Sequence, residues 1–204
     1  MIADNAPRTQ PKQERAQQTY DSILNVAGEL LAEIGVDRIS TNLICARAGI
    51  TPPALYRYFK DKYAVLEALG RRLMGRQNQA LEAWIAENEA GGIEAMRSNV
   101  ESLLRATAAV TASEPGAVWI LRALHASPRL VHVRLESHRY VADRLTEAYL
   151  RQGSPMPRDE LWRRVRVSVE IGFAIDQLLQ EETALSSDET FAHAAQMMLG
   201  EVRR

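Results

Sequence analysis

The sequence predicts an all-α protein of nine helices, and three observations carry that prediction. Apolar residues recur every three or four positions through most of the 204-residue chain, which is the spacing of one helical face. No segment alternates apolar and polar residues with β-branched enrichment, and no Asn-Gly or Asp-Gly pair marks a hairpin. Gly35, Gly49, Gly91-Gly92, Pro115, Pro128, Pro155 and Pro157 stand at the joints between periodic segments, where such residues stop or start helices.

The elements follow in order. The first 15 residues carry Arg8, Lys12 and Arg15, two prolines and no periodicity. They read as a flexible basic arm, taken to residue 16. Tyr20, Ile23, Leu24, Ala27, Leu30, Leu31 and Ile34 form one apolar face over residues 17–34, and Gly35 ends that helix. Ser40 caps a second helix over 41–48, closed by Gly49. Thr51 caps a third over 52–59, with Pro52 at its first position, where a missing N–H costs nothing. Asp61 caps a long fourth helix over 62–89, whose apolar face includes Val65, Leu66, Leu69, Leu73, Leu81 and Trp84. Five more helices are expected over 93–112, 115–125, 129–152, 158–182 and 188–203. The chain thus divides into the arm (1–16), a three-helix unit (17–62) and a larger helical body (63–204). The fourth helix crosses the junction, so head and body should be rigidly joined.

Composition excludes several classes. With 46% hydrophobic and 25% charged residues, the chain has material for a sizeable core and is not disordered as a whole. A single cysteine cannot form an internal disulfide. No apolar run approaches the roughly 20 residues that span a bilayer, and the polar start has no secretory core. A cytoplasmic protein is expected. Net charge is only −1, but residues 1–76 carry +3 and the rest −4. Between Arg38 and Lys62 there are five basic residues and one acid, Asp61. A basic head on an acidic body is the footprint of a nucleic-acid-binding module joined to a second function.

The head also has the pattern of a helix-turn-helix. Gly49 can take the left-handed conformation of a sharp turn, Ile50 seals that turn, and Leu55 and Phe59 hold the third helix against the first. Its other face, Thr51, Pro53, Ala54, Tyr56 and Arg57, is then free to enter a major groove. At these residues the sequence resembles the tetracycline-repressor (TetR) family of bacterial transcriptional regulators. The similar stretch is Ile23 to Leu69, and its most specific pieces are Ala48-Gly49-Ile50-Thr51 and Leu55-Tyr56-Arg57-Tyr58-Phe59-Lys60-Asp61-Lys62.

The resemblance implies a homodimer that binds a palindromic operator and releases it when a small ligand enters the body. It implies phosphate or groove-edge contacts from Tyr56 and Tyr58, a phosphate clamp at Lys62, phosphate contacts from Thr41 and Asn42, and base reading at Thr51 and Ala54. Two departures matter. Where many members carry a basic residue, this chain has Tyr20, so Arg15 would substitute. Pro52-Pro53 removes donors, so thymine-methyl contact and DNA shape should carry more of the readout.

For the ligand, the resemblance points to helices bearing Trp84, Met96, Val100, Leu103, Trp119, Tyr140 and Phe173, with Arg122 and His125 as polar anchors and an apolar or aromatic molecule as effector. For the dimer, the last two helices are the candidates. Leu161, Val165, Ser168, Gly172, Ile175 and Leu179 recur at 4-3-4-3-4 spacing, and Phe191, Ala195, Met198 and Val202 follow on the next helix. No phosphate loop, dinucleotide fingerprint or nucleophile elbow occurs. His132 and Glu136, at i and i+4, are too few for a metal site. Neither cofactor, metal nor catalytic residue is expected. The rival readings are a helical partner- or ligand-binding module without DNA contact and an all-α enzyme.

Overall fold

A computed structural model describes residues 10–199 of the chain. Its helices are α1 (Gln10–Arg38), α2 (Thr41–Ala48), α3 (Pro52–Tyr56), α4 (Lys62–Asn88), α5 (Gly92–Ser98), α6 (Val100–Ser113), α7 (Ala117–Ala126), α8 (Val131–Arg151), α9 (Arg158–Glu181) and α10 (Ser187–Leu199), with a 3-10 turn over Glu89–Gly91. The fold is all-α, and each of the nine expected helical segments is present. The segment expected over 93–112 is interrupted at Asn99 (φ −101°, ψ 12°), which separates α5 from α6. α4 holds the break in place: the Trp84 indole Nε1–H reaches the Asn99 carbonyl (3.1 Å) and Ser102 Oγ (3.0 Å), and Asn99 Nδ2–H donates to Asn88 Oδ1 at 2.7 Å.

Two expectations change. Residues 10–16, assigned to a flexible arm, are the opening turns of α1. Within this stretch Glu14 and Arg15 are exposed. Its Gln, Lys, Glu, Arg and Ala are nonetheless good helix formers. Arg8 lies outside the described residues. The third helix ends at Tyr56 rather than 59, and Phe59 closes it with a backbone bond to the Leu55 carbonyl (3.0 Å). Gly35 breaks the helical path of α1 at φ 73°, ψ 175°, as its position suggested.

The main core does not stop at the head. Ile23, Leu24, Ala27, Leu31, Ile44, Leu55 and Phe59 share one buried cluster with Leu69 and Leu73 of α4 and with Ile120, Leu124 and Leu130 beyond. The division at residue 62 is therefore not a gap in packing. Side chains add to the joint. Glu114, buried, is clasped by Arg72 and Arg76, and Arg72 also donates to Asn25 of α1 at 2.7 Å. Arg129 bonds Asp61 at 2.7 Å and stacks over the Tyr63 ring at 4.1 Å. Among the described residues no helix is long and apolar enough to cross a membrane.

The stripe expected at the dimer interface faces inward. Leu161 and Val165 are buried against α8 with Val169 and Ala142. Ile175 and Leu179 pack on the cluster of Leu104, Phe191 and Ala194, and Ala195 is buried beside it. A Cβ on Gly172 would lie 3.0 Å from Leu104 Cδ2 and 3.8 Å from Met198 Cε of the same chain. Val202 lies outside the described residues. The more continuous apolar face of a helix goes to its own core first, because folding must bury it whether or not a partner is present.

Candidate nucleic-acid interface and effector cavity

The turn between α2 and α3 is built as the sequence suggests. Ser40 Oγ accepts the Leu43 N–H at 3.3 Å. Gly49 adopts φ 64°, ψ 31° and, with Ile50, returns its N–H to the Cys45 carbonyl. Leu55 and Phe59 are buried, so α3 can turn only one face outward. On that face Thr51, Pro53, Tyr56 and Arg57 are exposed and Ala54 is half-buried. Thr51 makes no capping bond with its side chain, which leaves its hydroxyl to the surface. Tyr56 Oη lies 3.2 Å from Thr41 Oγ1, joining the two helices at the outer edge, with Asn42 exposed beside Thr41.

Charge is distributed with the same polarity. Arg47 is neutralised by a two-pronged bond to Glu33 (2.9 and 2.8 Å), and Arg38 donates to the Ile34 carbonyl. Among the described residues Arg57, Lys60 and Lys62 enter no ion pair. Lys62 opens α4, where the Asp61 carboxylate accepts the Ala64 N–H at 2.9 Å. The Arg129 guanidinium holds the Asp61 carboxyl below its ordinary range, with the Ala64 N–H helping against the cost of burial. That acid is thus committed to the cap and to Arg129, and Lys62 stands at a helix N-terminus suited to anions. Tyr58 is the exception on this surface. It is half-buried, edge-on to Tyr20 at 6.2 Å, while Tyr20 stacks on Phe59 at 5.0 Å. Tyr20, out of pattern in sequence, is thus part of the head's aromatic packing, and Arg15 is exposed five residues earlier on α1.

A cavity of about 80 Å³ lies in the body between α4, α6, α8, α9 and α10. Of the nine expected ligand residues, Val100, Leu103 and Phe173 line it. Trp84 and Met96 do not line it but are buried with Leu81, Ile85 and Leu103 in the cluster behind its wall, since Leu81 and Leu103 also face the cavity. Trp119 lies at the head–body joint, its ring 3.3 Å from where a Cβ on Gly35 would be, with Arg122 stacked over it at 5.0 Å. Arg122 also meets Glu181, and His125 is exposed with Nδ1 3.0 Å from the Leu121 carbonyl. Tyr140 is 40% exposed and donates its hydroxyl to Glu82 at 2.7 Å. The expected grouping of Trp84, Trp119 and Phe173 is therefore corrected: only Phe173 lines the cavity, Trp84 packs behind its Leu81 and Leu103 wall, and Trp119 lies at the head–body joint. Large aromatic residues suggested a pocket from composition, but their size suits joints and core centres equally well.

The polar wall of the cavity was missed. Gln77 of α4 donates Nε2–H to Thr111 Oγ1 of α6 at 2.9 Å, and Thr111 donates to Asp176 Oδ2 of α9 at 2.8 Å. Gln77 and Asp176 both line the cavity and are both buried. Burial pushes the Asp176 carboxyl up, partly offset by Thr111 and Gln180. Gln77 and Asp176 sit at core positions of helices whose neighbours there are apolar, and that mismatch was the available signal.

Beside this wall, His138 is fully buried, stacks on Phe173 at 3.9 Å between ring centroids, and places Nδ1 2.9 Å from Glu170 Oε1. Burial pushes the imidazole down to about 4 despite Glu170. For Glu170 burial pulls upward, but the bonds from His138 and Arg166 outweigh it and leave the carboxyl at about 2. Between pH 6.5 and about 4 an unfolded chain takes up a proton that the folded His138 refuses, so stability falls as pH falls through that window. Thermal melts of His138→Gln across it should show a shallower slope than wild type. An unchanged slope would assign the acid sensitivity to other groups.

Residues 23–69 match the family described as "Bacterial regulatory proteins, tetR family". The HTH-type transcriptional regulator UidR of Escherichia coli strain K12 is 26% identical over 192 residues, covering 92% of this chain and 94% of UidR. The class A tetracycline repressor from transposon 1721 of E. coli is 34% identical over 58 residues, 28% of this chain and 27% of the repressor. A solved TetR-family regulator from Streptomyces coelicolor superposes with a TM-score of 0.64 at 25% identity, over 88% of this chain and 95% of that one.

Proposed function

We propose that the chain is a DNA-binding transcriptional regulator similar to the TetR family, acting as a homodimeric repressor on a palindromic operator and released by a small molecule bound in the body. The reading places it in the cytoplasm and gives it no catalytic step. Its main support is the outward face of α3 beside Arg57, Lys60 and Lys62, three cations with no acidic partner among the described residues. Base-edge contacts then come from Thr51, Pro53 and Ala54, and phosphate contacts from Thr41, Asn42, Tyr56, Arg57 and Lys62, with Arg15 reaching the duplex from the start of α1.

A second copy of the chain is proposed on the outer face of α9 and α10. Eight large apolar side chains stay exposed among the described residues, and five of them, Val167, Ile171, Leu178, Leu185 and Met197, lie on these two helices and their connection. Val167, Ile171, Ala174 and Leu178 are spaced 4-3-4, a seam on the side opposite Gly172. A two-fold contact there buries the same stripe twice. The effector enters the cavity. Because α4 carries Lys62 at one end and Gln77 in the cavity wall, a ligand that spreads the wall tilts the reading head, and its preference for the tilted form releases the DNA.

Selecting duplexes from a random pool with the purified protein tests the reading. Half-sites related by a two-fold axis should emerge, centred about one helical turn or a multiple apart, and affinity should fall steeply with salt. Lys62→Ala should weaken binding to all sequences alike and lower the salt slope by about one contact. Failure to enrich any duplex would overturn the DNA-binding reading, and a change of base preference in Lys62→Ala would overturn the clamp.

A further inference from the structure

The cavity's polar wall specifies the effector's chemistry more closely than its apolar lining does. The relay from Gln77 through Thr111 to Asp176 runs in one direction. Thr111 has one hydroxyl proton, and Asp176 Oδ2 at 2.8 Å is the nearer and charged acceptor compared with the Thr107 carbonyl at 3.3 Å, so the proton goes to the carboxylate and Gln77 turns its NH₂ toward Thr111. Both ends of the relay then expose an acceptor. Asp176 Oδ1 and Gln77 Oε1 are buried and make no hydrogen bond among the described residues, the Gln180 side chain approaching the Asp176 carboxyl without completing a bond to Oδ1. No Lys, Arg or His side chain lines the cavity, and the remaining polar residues there are Thr107 and Ser168. A buried carboxylate with half of its acceptor capacity unused is costly. Its best complement brings both N–H donors and a positive charge.

We propose that the effector is a small apolar molecule bearing a protonated amine, its ammonium N–H groups accepted by Asp176 Oδ1 and Gln77 Oε1 and its apolar body set among Leu103, Leu104 and Phe173. This rests on the ligand-release reading above and adds the ligand class. An anionic effector is disfavoured, because it would bring like charge to Asp176 with no cation in the wall. The cavity of about 80 Å³ is well below the roughly 300–1,000 Å³ of drug-sized sites. The body is therefore a phenyl ring or short alkyl chain, and entry must displace an adaptable wall side chain such as Met198. Since the two acceptors sit on α4 and α9, an ammonium bridging them acts on the helix that carries the reading head.

Three probes with one body and different head groups provide the test: 2-phenylethylamine, 2-phenylethanol and phenylacetate, titrated calorimetrically into the full-length protein at pH 7. The amine should bind at least about tenfold more tightly than the alcohol, the gain expected of a charged hydrogen bond, and phenylacetate more weakly than either. Asp176→Asn preserves shape and the Thr111 bond, and should melt no lower than wild type because it removes a buried charge. It should cost the amine about tenfold and leave the alcohol nearly unchanged, and Gln77→Met should give a smaller loss in the same direction. Absence of amine binding, tighter binding of phenylacetate, or full amine affinity in Asp176→Asn would each overturn the proposal. Operator gel shifts separate the two readings. An amine that binds through Asp176 yet leaves the operator complex intact would sink ligand release and spare the anchor. Operator release by the alcohol or the acid, independent of Asp176, would do the reverse.

Discussion

Ile171→Asp should convert the protein to a monomer and lower its operator affinity by about a hundredfold or more. Ile171 lies midway along the exposed stripe of α9, between Val167 at 60% and Leu178 at 36% exposure, and is itself 37% exposed. In a two-fold contact the substitution enters twice. It replaces an apolar contact with two carboxylates that lose water and have like charge near the axis. The large effect on DNA follows from linkage of the two reading heads. When one head is bound, the second finds its half-site at an effective concentration near millimolar, and such avidity is worth about 10²–10⁴. A monomer forfeits it. Because Ile171 is already partly exposed, the folded monomer should melt close to wild type under dilute conditions. Light scattering checks the mass and a gel shift the affinity. A dimer that survives Ile171→Asp would move the interface off this face.

That prediction uses residues the sequence alone did not select, and the reason is physical. On α9 two stripes repeat at the same spacing, 161-165-168-172-175-179 and 167-171-174-178. Periodicity shows that a face is apolar, not whether its cover comes from the same chain. The more apolar stripe went inward, and the seam left for a partner is the one mixed with Arg163 and Arg164. The head was far more legible. Ser40, Gly49 and Asp61 mark caps and turns whose chemistry is local, so their roles can be read without tertiary information, whereas Thr51, read as a cap, makes no capping bond with its side chain. Gly49 is left-handed and Asp61 caps α4 as read. The cavity was the least legible, because it depends on five helices meeting. Trp119 and Tyr140 drew attention by size, whereas Gln77 and Asp176 were visible only as polar residues at core positions.

Gly116→Ala should lower the melting temperature by about 10 °C and weaken control of the head by the body. Gly116 sits at φ 72°, a conformation that costs a non-glycine residue about 1–2 kcal/mol. Space adds to the strain. A Cβ there would lie 2.6 Å from the Gly28 carbonyl oxygen and 2.8 Å from Leu31 Cβ, both on α1. The oxygen belongs to a helical backbone and cannot swing aside, so α1 must move away from the turn before α7. Overpacking of this kind costs about 1–3 kcal/mol more, and each kcal/mol is worth about 2–4 °C in a chain of this size. Gly49→Ala is the matched control, since it also sits at positive φ but has nothing within 4 Å of the new methyl. It should lose only the conformational part of the stability. Equal losses in calorimetric melts of the two variants would show that the Gly28–Gly116 approach carries no packing energy. The functional consequence follows from the same geometry. Glu114, clasped by Arg72 and Arg76, and Gly116 bracket the turn where α6 and α7 meet α1 and α4. If α1 is pushed off that turn, tilting of α4 in the body is no longer matched by the head. In gel shifts below its melting range, Gly116→Ala should then bind the operator more weakly, with less difference between free and effector-saturated protein than wild type. A wild-type ratio between those two affinities would mean that the signal reaches the head through α4 alone.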